Sequence, residues 1–172
     1  MLPVVFEPWL ECTRCDLCKT RRNVVIGRGP IPARVLMIGE GPGKAEDTLG
    51  EAFVGPSGRL LELAVQDALI QAGLRFRPSI FITNVVGCRP IDDDGKNREP
   101  TPDEMKACVE RVKLTAAVVN PEVVILLGDV ARRGAGKLFP GAVITRHPAF
   151  VARKNGTAGA EYVALVRNLS SA

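Results

Sequence analysis

Four cysteines stand in two pairs on either side of a glycine-rich loop, and this arrangement is the first in the chain that could support chemistry. Cys12 and Cys15 form a CxxC pair near the N-terminus, while Cys88 and Cys108 lie far along the chain. Thiolates from such distant segments can meet only if the fold assembles them. Four of them suit a zinc ion or an iron–sulfur cluster. We expect that site to be structural and the chemistry to lie at the intervening loop, Gly39–Gly43.

Four short apolar runs predict the strands that position these residues. The runs are rich in β-branched residues and lack clean alternation, which is typical of buried parallel strands. They are Val35–Ile38, Ile80–Val86, Val123–Leu127 and Ala142–Thr145.

Helix-like stretches separate the predicted strands. One runs from Ser57 to Gly73, a second begins at the Thr101 cap and ends near Val119, and a third covers Ala158–Leu169. Strands alternating with helices predict an α/β fold, a three-layer α/β/α arrangement around a central, mostly parallel four-stranded sheet. We expect residues 1–172 to form a single domain with an N-terminal cluster-binding segment, and Ile91–Pro100 to form an exposed loop.

The predicted strands end at residues that suit a ligand site. The glycine loop follows the first strand, Asn84 lies toward the end of the second, and Gly128-Asp129 and His147-Pro148 follow the third and fourth. Ligands of open parallel sheets bind beyond the carboxyl ends of the strands. These residues should therefore converge on one edge of the sheet.

The composition is that of an ordinary globular protein, with 46% hydrophobic and 24% charged residues. No apolar run approaches the ~20 residues that cross a bilayer, and the N-terminus lacks a signal-peptide pattern. We therefore expect a cytoplasmic protein, in which five cysteines argue against a disulfide scaffold. The net charge of +4 is mild, and the basic clusters fit a solvated surface as well as a nucleic-acid footprint.

Seven motifs in order make the chain similar to a known family. It resembles the family-4 uracil-DNA glycosylases, the iron–sulfur branch of that superfamily, over residues 12 to 168. The motifs are Cys12-x-x-Cys15, GEGPGKAED (39–47), AFVGPSGRLL (52–61), ITNVVGCRP (82–90), PDEMKAC (102–108), LLG (126–128) and HPA (147–149).

The resemblance implies an enzyme that flips uracil out of DNA and hydrolyses its N-glycosidic bond, leaving an abasic site. His147, the chain's single histidine, would donate to the uracil O2 as negative charge develops there. Asn84 would read the base by donating to O4 and accepting from N3–H. Phe53 would stack on the flipped base.

The glycine loop differs from that of family-1 enzymes, which carry a water-activating aspartate and a thymine-blocking tyrosine in it. The corresponding positions here are Gly41 and Gly43. Glu40 and Glu46 are the candidates for placing the water, along with backbone carbonyls of the loop. Exclusion of the thymine methyl group would fall to Glu46 and its surroundings.

The resemblance also implies how DNA would bind. Backbone N–H groups at Ser57 and Gly58 would hold a phosphate, and Arg146 and Arg153 would meet others. The family's duplex wedge is usually a leucine, and Val151 takes its place. A shorter wedge favours single-stranded DNA.

The same resemblance implies that Cys12, Cys15, Cys88 and Cys108 hold a 4Fe-4S cluster. Cys18 is left over, although its CxxC spacing from Cys15 allows an exchange with one of the four. On thiolate chemistry alone, zinc stays open.

Several alternatives remain open at this point. The chain could be a catalytically weak DNA-binding module of a replication or repair assembly, or a glycosylase for another deaminated or modified base. A ferredoxin-like electron carrier would explain the cysteines but not the GEGPG loop, Asn84 or His147. The enzyme hypothesis predicts a monofunctional glycosylase, because no lysine lies in a recognised motif as a Schiff-base nucleophile. We also expect a monomer.

Overall fold

The computed structural model describes residues 3–154 and 156–172 and contains a four-stranded, all-parallel sheet. The strand order is β2-β1-β3-β4, so the chain moves first to one side of β1 and then to the other. The strands are β1 (Val35–Gly39), β2 (Ile80–Asn84), β3 (Val123–Leu127) and β4 (Val143–Thr145).

Seven α-helices accompany the sheet in the described part of the chain. They are α1 (Glu7–Leu10), α2 (Lys44–Leu49), α3 (Pro56–Gln71), α4 (Pro102–Val119), α5 (Asp129–Ala135), α6 (Pro148–Arg153) and α7 (Ala160–Ser170). Short 3-10 turns lie at Val4–Phe6, Asp16–Lys19 and Gly156–Ala158. The order of strands and helices confirms the predicted α/β class.

The sheet is covered on both faces, because successive side chains of a strand point to opposite sides. Leu36 and Ile38 of β1 belong to a core with α4, α5 and the N-terminal segment. Met37 belongs to a second core with Leu61 and Val65 of α3. The two cores confirm the predicted three-layer α/β/α arrangement.

A third apolar cluster joins α3, α6 and α7. It contains Val151, Tyr162 and Leu165, and Tyr162 also donates a hydrogen bond of 2.6 Å to Asp67 of α3. This packing fixes α6, which follows His147, against the outer layer of the fold.

The helix ends follow ordinary capping chemistry. The Thr101 hydroxyl accepts from the Glu104 N–H, and the Glu104 carboxylate accepts from the Thr101 N–H in return. Asn120 ends α4 in the left-handed region at φ 50°, immediately before Pro121. Over residues 3–154 and 156–172, no helix has both the length and the apolar character needed to cross a membrane.

Candidate active site

A cleft of about 950 Å³ opens at the carboxyl edge of the sheet. The ends of β1, β2, β3 and β4 all contribute to its walls, as the strand polarity predicted. The predicted site residues that line it are Glu40, Gly41, Gly43, Glu46, Phe53, Ser57, Asn84, Arg146, His147 and Arg153. Segments more than a hundred residues apart in sequence therefore meet in one cavity.

His147 enters the cleft as the N-cap of α6, and its protonation state is set by its surroundings. Its Nδ1 accepts a hydrogen bond of 3.1 Å from the Ala149 N–H, which leaves the proton of the neutral ring on Nε2. Burial, with a further contribution from the Arg153 charge, lowers the pKa of His147 to about 4. The side chain at neutral pH is therefore an uncharged imidazole that offers one N–H donor.

Asn84 ends β2 with a side chain that is only 2% exposed. Its Oδ1 is buried and accepts no hydrogen bond from the residues that the structure describes. An unsatisfied buried acceptor costs free energy, so such an atom at a cleft indicates a missing donor. A ligand N–H would satisfy it.

Phe53 and Asn84 approach each other above Gly39, the last residue of β1. A Cβ on Gly39 would lie 2.5 Å from the Phe53 Cζ and 2.6 Å from the Asn84 Oδ1, so only glycine leaves room for both. Phe53 itself has φ 55°, a strained value for a bulky residue. Its ring centroid lies 6.1 Å from that of His147. The stacking surface, the amide and the imidazole thus face one small space.

Glu46 connects two loops of the cleft. One carboxylate oxygen accepts from the Gly43 N–H at 3.1 Å, and the other accepts from the Gly55 N–H at 2.7 Å. A Cβ on Gly43 would lie 2.8 Å from the Glu46 Oε2. Both oxygens are therefore committed to backbone groups, which suits a carboxylate that shapes the pocket beside Gly43 better than one that activates water.

Glu40 differs from Glu46 because its carboxylate makes no hydrogen bond within the described residues. Burial, assisted by the nearby Glu99 charge, raises the pKa of Glu40, while Arg133 and Arg153 oppose the change. A half-buried, cleft-facing carboxylate with a raised pKa is able to orient a water molecule and to take up its proton.

Several cleft residues were not predicted from the sequence. Asn97, Arg98 and Glu99 come from the segment predicted as an exposed loop, which is largely exposed but turns one end into the cleft. Arg132 enters from the first turn of α5, beside Asp129, whose place at the end of a strand was predicted. The unpredicted residues depend on tertiary contacts that periodicity does not show.

Most arginines around the cleft already contact a carboxylate. Arg132 contacts Asp129 at 2.6 Å, Arg133 contacts Glu99 at 2.7 Å, and Arg98 contacts Glu104 at 2.6 Å. Arg146 contacts Glu161 at 3.0 Å and also lies over the Phe150 ring, 5.7 Å from its centroid.

The structure separates the residues predicted to contact DNA. Ser57, Arg146 and Arg153 line the cleft, and both arginines are exposed, so these three lie where a phosphate could reach them. Gly58 is buried in the first turn of α3 against the Phe53 carbonyl and does not line the cleft. Because Gly58 has no side chain, the Phe53 loop can pack closely on α3.

The prediction that Val151 forms a wedge needs correction in this conformation. Its side chain is 0% exposed and packs in the α3–α6–α7 cluster. The helical turn of α6 rotates position 151 inward, and the burial of an apolar side chain favours that orientation. Its neighbours Ala149 and Phe150 line the cleft instead.

The four predicted cysteine ligands come together on the opposite side of the sheet from α3. Cys88 and Cys108 are buried in the core that contains α4, and Cys12 and Cys15 pack against it. Burial raises the pKa of Cys88 to about 12, and the proximity of Cys108, Cys15 and Cys12 acts in the same direction. An Arg21 Nη1 lies 3.8 Å from the Cys88 Sγ.

The four thiols can be compared with the ligand sets of the two candidate groups, a zinc ion and an iron–sulfur cluster. In the described part of the chain, no three cysteine, histidine or carboxylate side chains are placed to hold a single metal ion. Zinc needs its sulfurs at about 2.3 Å from one centre, which is a tight arrangement. Four thiols, two of them buried and two half-buried, match the all-cysteine ligation that is typical of an iron–sulfur cluster.

Comparison with known proteins agrees with the fold. A family model described as the uracil DNA glycosylase superfamily matches residues 26–169. A type-4 uracil-DNA glycosylase of Thermotoga maritima is 40% identical over 76% of this chain and 64% of that protein. The Archaeoglobus fulgidus protein of the same name is 39% identical over 76% of this chain and 61% of that protein.

The chain covers a larger share of a third relative. The type-4 uracil-DNA glycosylase of Pyrobaculum aerophilum is 34% identical over 87% of this chain and 83% of that protein. The chain thus spans 64% and 61% of the length of the Thermotoga and Archaeoglobus relatives and most of this one. The chain belongs to the uracil-DNA glycosylase superfamily and, within it, to the type-4 group.

Proposed function

We propose that this protein is a monofunctional uracil-DNA glycosylase, which removes deaminated cytosine from DNA and leaves an abasic site. The observation that carries the proposal is the pairing of two groups in one cleft. The buried Asn84 Oδ1 lacks a donor, and the neutral His147 offers an Nε2 proton. Uracil presents an N3–H and, beside it, the O2 that becomes negative as the bond breaks.

Recognition of the base follows from these positions. A base flipped out of the stack enters beside Phe53, whose ring provides the stacking surface. Asn84 accepts from N3–H with Oδ1 and donates to O4 with its amide. Cytosine has an amino group in place of O4 and no proton on N3, so both contacts fail. Glu46, held beside Gly43, closes the pocket where the methyl group of thymine would lie.

Bond cleavage then depends on stabilising charge. As the sugar–N1 bond lengthens, the base becomes anionic and the sugar becomes cationic. His147 donates from Nε2 to O2 and remains neutral at the start of the reaction, so that the donor strengthens its hydrogen bond only as charge appears. Glu40 orients a water molecule toward the sugar and accepts its proton.

The remaining groups bind DNA and hold the fold. Ser57, Arg146 and Arg153 contact phosphates around the flipped nucleotide. Cys12, Cys15, Cys88 and Cys108 would hold a 4Fe-4S cluster, which supplies a covalent tie between the N-terminal segment and α4. The cleft-lining residues that the structure describes include no lysine, which supports simple hydrolysis without a Schiff base.

A DNA-binding module is the second candidate function, and the burial of Val151 favours it. Without an exposed side chain at that position, the molecule lacks the predicted means to fill the gap left by a flipped base. Such a module would hold uracil-containing DNA without turnover.

A cleavage assay distinguishes these candidates. Matched oligonucleotides carrying uracil, thymine or hypoxanthine are tested as single strands and as duplexes opposite guanine. We expect alkali-labile sites with uracil alone, strongest in single strands. Loss of one transition-state donor costs about 10²–10³-fold in rate, so His147→Ala and Asn84→Ala should each lose about that much.

The controls make the result decisive. Binding of uncleaved DNA by wild type, without abasic sites, would establish the binding module instead. Cleavage of hypoxanthine in preference to uracil would reassign the base. Unchanged rates in both variants would show that the site is elsewhere.

A further inference from the structure

Arg111 of α4 is a fully buried arginine, only 1% exposed, in contact with the end of β2. Its Nη2 donates to the carbonyls of Asn84 and Val85, the latter at 3.1 Å. Its Nη1 donates to the Thr83 hydroxyl at 3.1 Å and to the Ile26 carbonyl at 3.3 Å. The guanidinium therefore contacts the segment that carries the base-reading amide.

Burying the charge of Arg111 at this position costs free energy. Each hydrogen-bond acceptor of Arg111 among the described residues is neutral, and its Nε is buried without a partner. A buried charge without a carboxylate partner loses hydration that neutral acceptors replace only in part. An apolar side chain of the same length would fill this space equally well. The specific use of the guanidinium is therefore its set of directed hydrogen bonds.

The contacts of Arg111 complete a clamp on the backbone at Asn84. On one side, the N–H groups of Val85 and Val86 donate to the carbonyls of Gly39 and Glu40, at 2.9 and 3.2 Å. On the other side, Arg111 binds the carbonyls of Asn84 and Val85. The peptide groups that follow Asn84 are thus held from both edges, which fixes the direction in which its Cα–Cβ bond leaves the backbone.

We propose that Arg111 is a positioning residue that holds the Asn84 carboxamide in place for uracil recognition. This inference rests on the proposed function, because it assigns Asn84 the reading of the base. It also connects two distant parts of the molecule. Cys108 lies three residues before Arg111, on the same face of α4, so the cysteine-bearing segment and the base-reading amide share one helix.

The test uses Arg111→Met, which keeps most of the length and removes all donors. We expect kcat/KM for uracil in single-stranded DNA to fall about 10- to 100-fold, as for a misplaced contact group. In an Asn84→Ala background, the same substitution should change the rate less than about twofold. Effects that multiply in the double variant would overturn the proposal, because they would mean that Arg111 acts independently of Asn84.

Two further variants separate positioning from stability. Thr115→Val removes a buried hydroxyl that donates to the Arg111 carbonyl at 2.8 Å, one turn farther along α4. It should lower Tm and leave kcat/KM unchanged. Thr83→Val removes one acceptor of Arg111 and should reproduce part of its kinetic loss, which keeps the test available if Arg111→Met does not fold. A Thr83→Val enzyme with wild-type kinetics would count against the proposal.

The NMR resonance of the Asn84 side-chain amide gives a readout that does not depend on activity. It is assigned by its absence in Asn84→Ala. It should shift in Arg111→Met, or in Thr83→Val if Arg111→Met does not fold, and stay in place in Thr115→Val. If wild type fails to cleave uracil DNA, the proposed function fails, and this resonance alone decides whether Arg111 positions Asn84. An unshifted resonance in the tested variant would overturn the inference whatever the activity.

Discussion

At the scale of single residues, the most informative side chain is His147, whose neutral state follows from its position. Burial lowers its pKa to about 4, and the Ala149 N–H occupies Nδ1. Resemblance to the glycosylases predicted a hydrogen-bond donor at this residue. The burial and the acceptor role of Nδ1 required the folded α6 turn, which the sequence analysis did not predict.

The lowered pKa of His147 predicts a specific pH dependence. Between about pH 4 and pH 6.5, the unfolded chain binds a proton at this residue that the native protein does not bind. The free energy of unfolding should therefore fall as pH drops through that window, by up to about 3 kcal/mol. The activity should persist through pH 6.5, because the imidazole is still neutral there.

Denaturant unfolding and rate measurements from pH 4 to 8 check this prediction. His147 is the chain's single histidine, so His147→Ala provides a control that lacks the step while keeping all carboxylates. A loss of activity with an apparent pKa close to 6.5 would contradict the assignment of a buried neutral donor.

At the scale of elements, the two loops of the cleft assign different roles to two glutamates. Glu46 accepts backbone N–H groups from both loops, at Gly43 and Gly55, whereas Glu40 faces the cleft. By sequence alone, both glutamates were candidates for placing the water. Only the folded loops show which carboxylate is already engaged.

Conservative substitutions should separate the two roles. Glu46→Gln places an amide N–H against a backbone donor, so we expect a loss of stability of about 1–3 kcal/mol. Glu40→Gln removes the proton acceptor and should lower kcat with little change in Tm. Thermal unfolding and single-turnover kinetics of both variants provide the measurement. A stable Glu46→Gln enzyme with a large loss in kcat would reverse the assignment.

The elements themselves were largely predictable. β3 has the predicted bounds, and α4 begins and ends close to the predicted Thr101 and Val119 because capping residues mark both ends. β2 ends at Asn84 rather than Val86, because the chain turns there toward the glycine loop. The short helices α2, α5 and α6 were not predicted, since six or seven residues give too little periodicity.

Arg111 shows where sequence reasoning about the site stops. It lies on the buried stripe of α4, between Cys108 and Thr115, where the helical period expects an apolar residue. A charged residue in that stripe was a usable signal. Its partners come from β2 and from the segment before β1, so only the tertiary structure could identify them.

At the scale of the whole molecule, Cys12 and Cys15 of the N-terminal segment pack against the core that contains Cys88 and Cys108. If the four cysteines hold the proposed cluster, Cys12→Ala and Cys88→Ala should lose visible absorption, bound iron and solubility together, because the segment would lose the covalent tie that the cluster supplies. Cys18→Ala is the matched control, since it changes a cysteine of the same segment that was left outside the ligand set.

Visible spectra, iron analysis and the soluble yield of the three variants check this expectation. A colourless Cys88→Ala protein that stays folded and fully active would contradict a structural role for the site. Loss of iron in Cys18→Ala would instead place Cys18 in the ligand set.

The carboxylates that already contact the cleft arginines have a consequence for how the protein would travel along DNA. A phosphate that binds Arg146 competes with Glu161 for the guanidinium, and one that binds Arg133 competes with Glu99. Such an exchange of anions releases fewer counterions than binding to free cations. Contact with undamaged DNA should therefore be brief and only weakly dependent on salt, which allows the molecule to leave normal sequence quickly and continue its search.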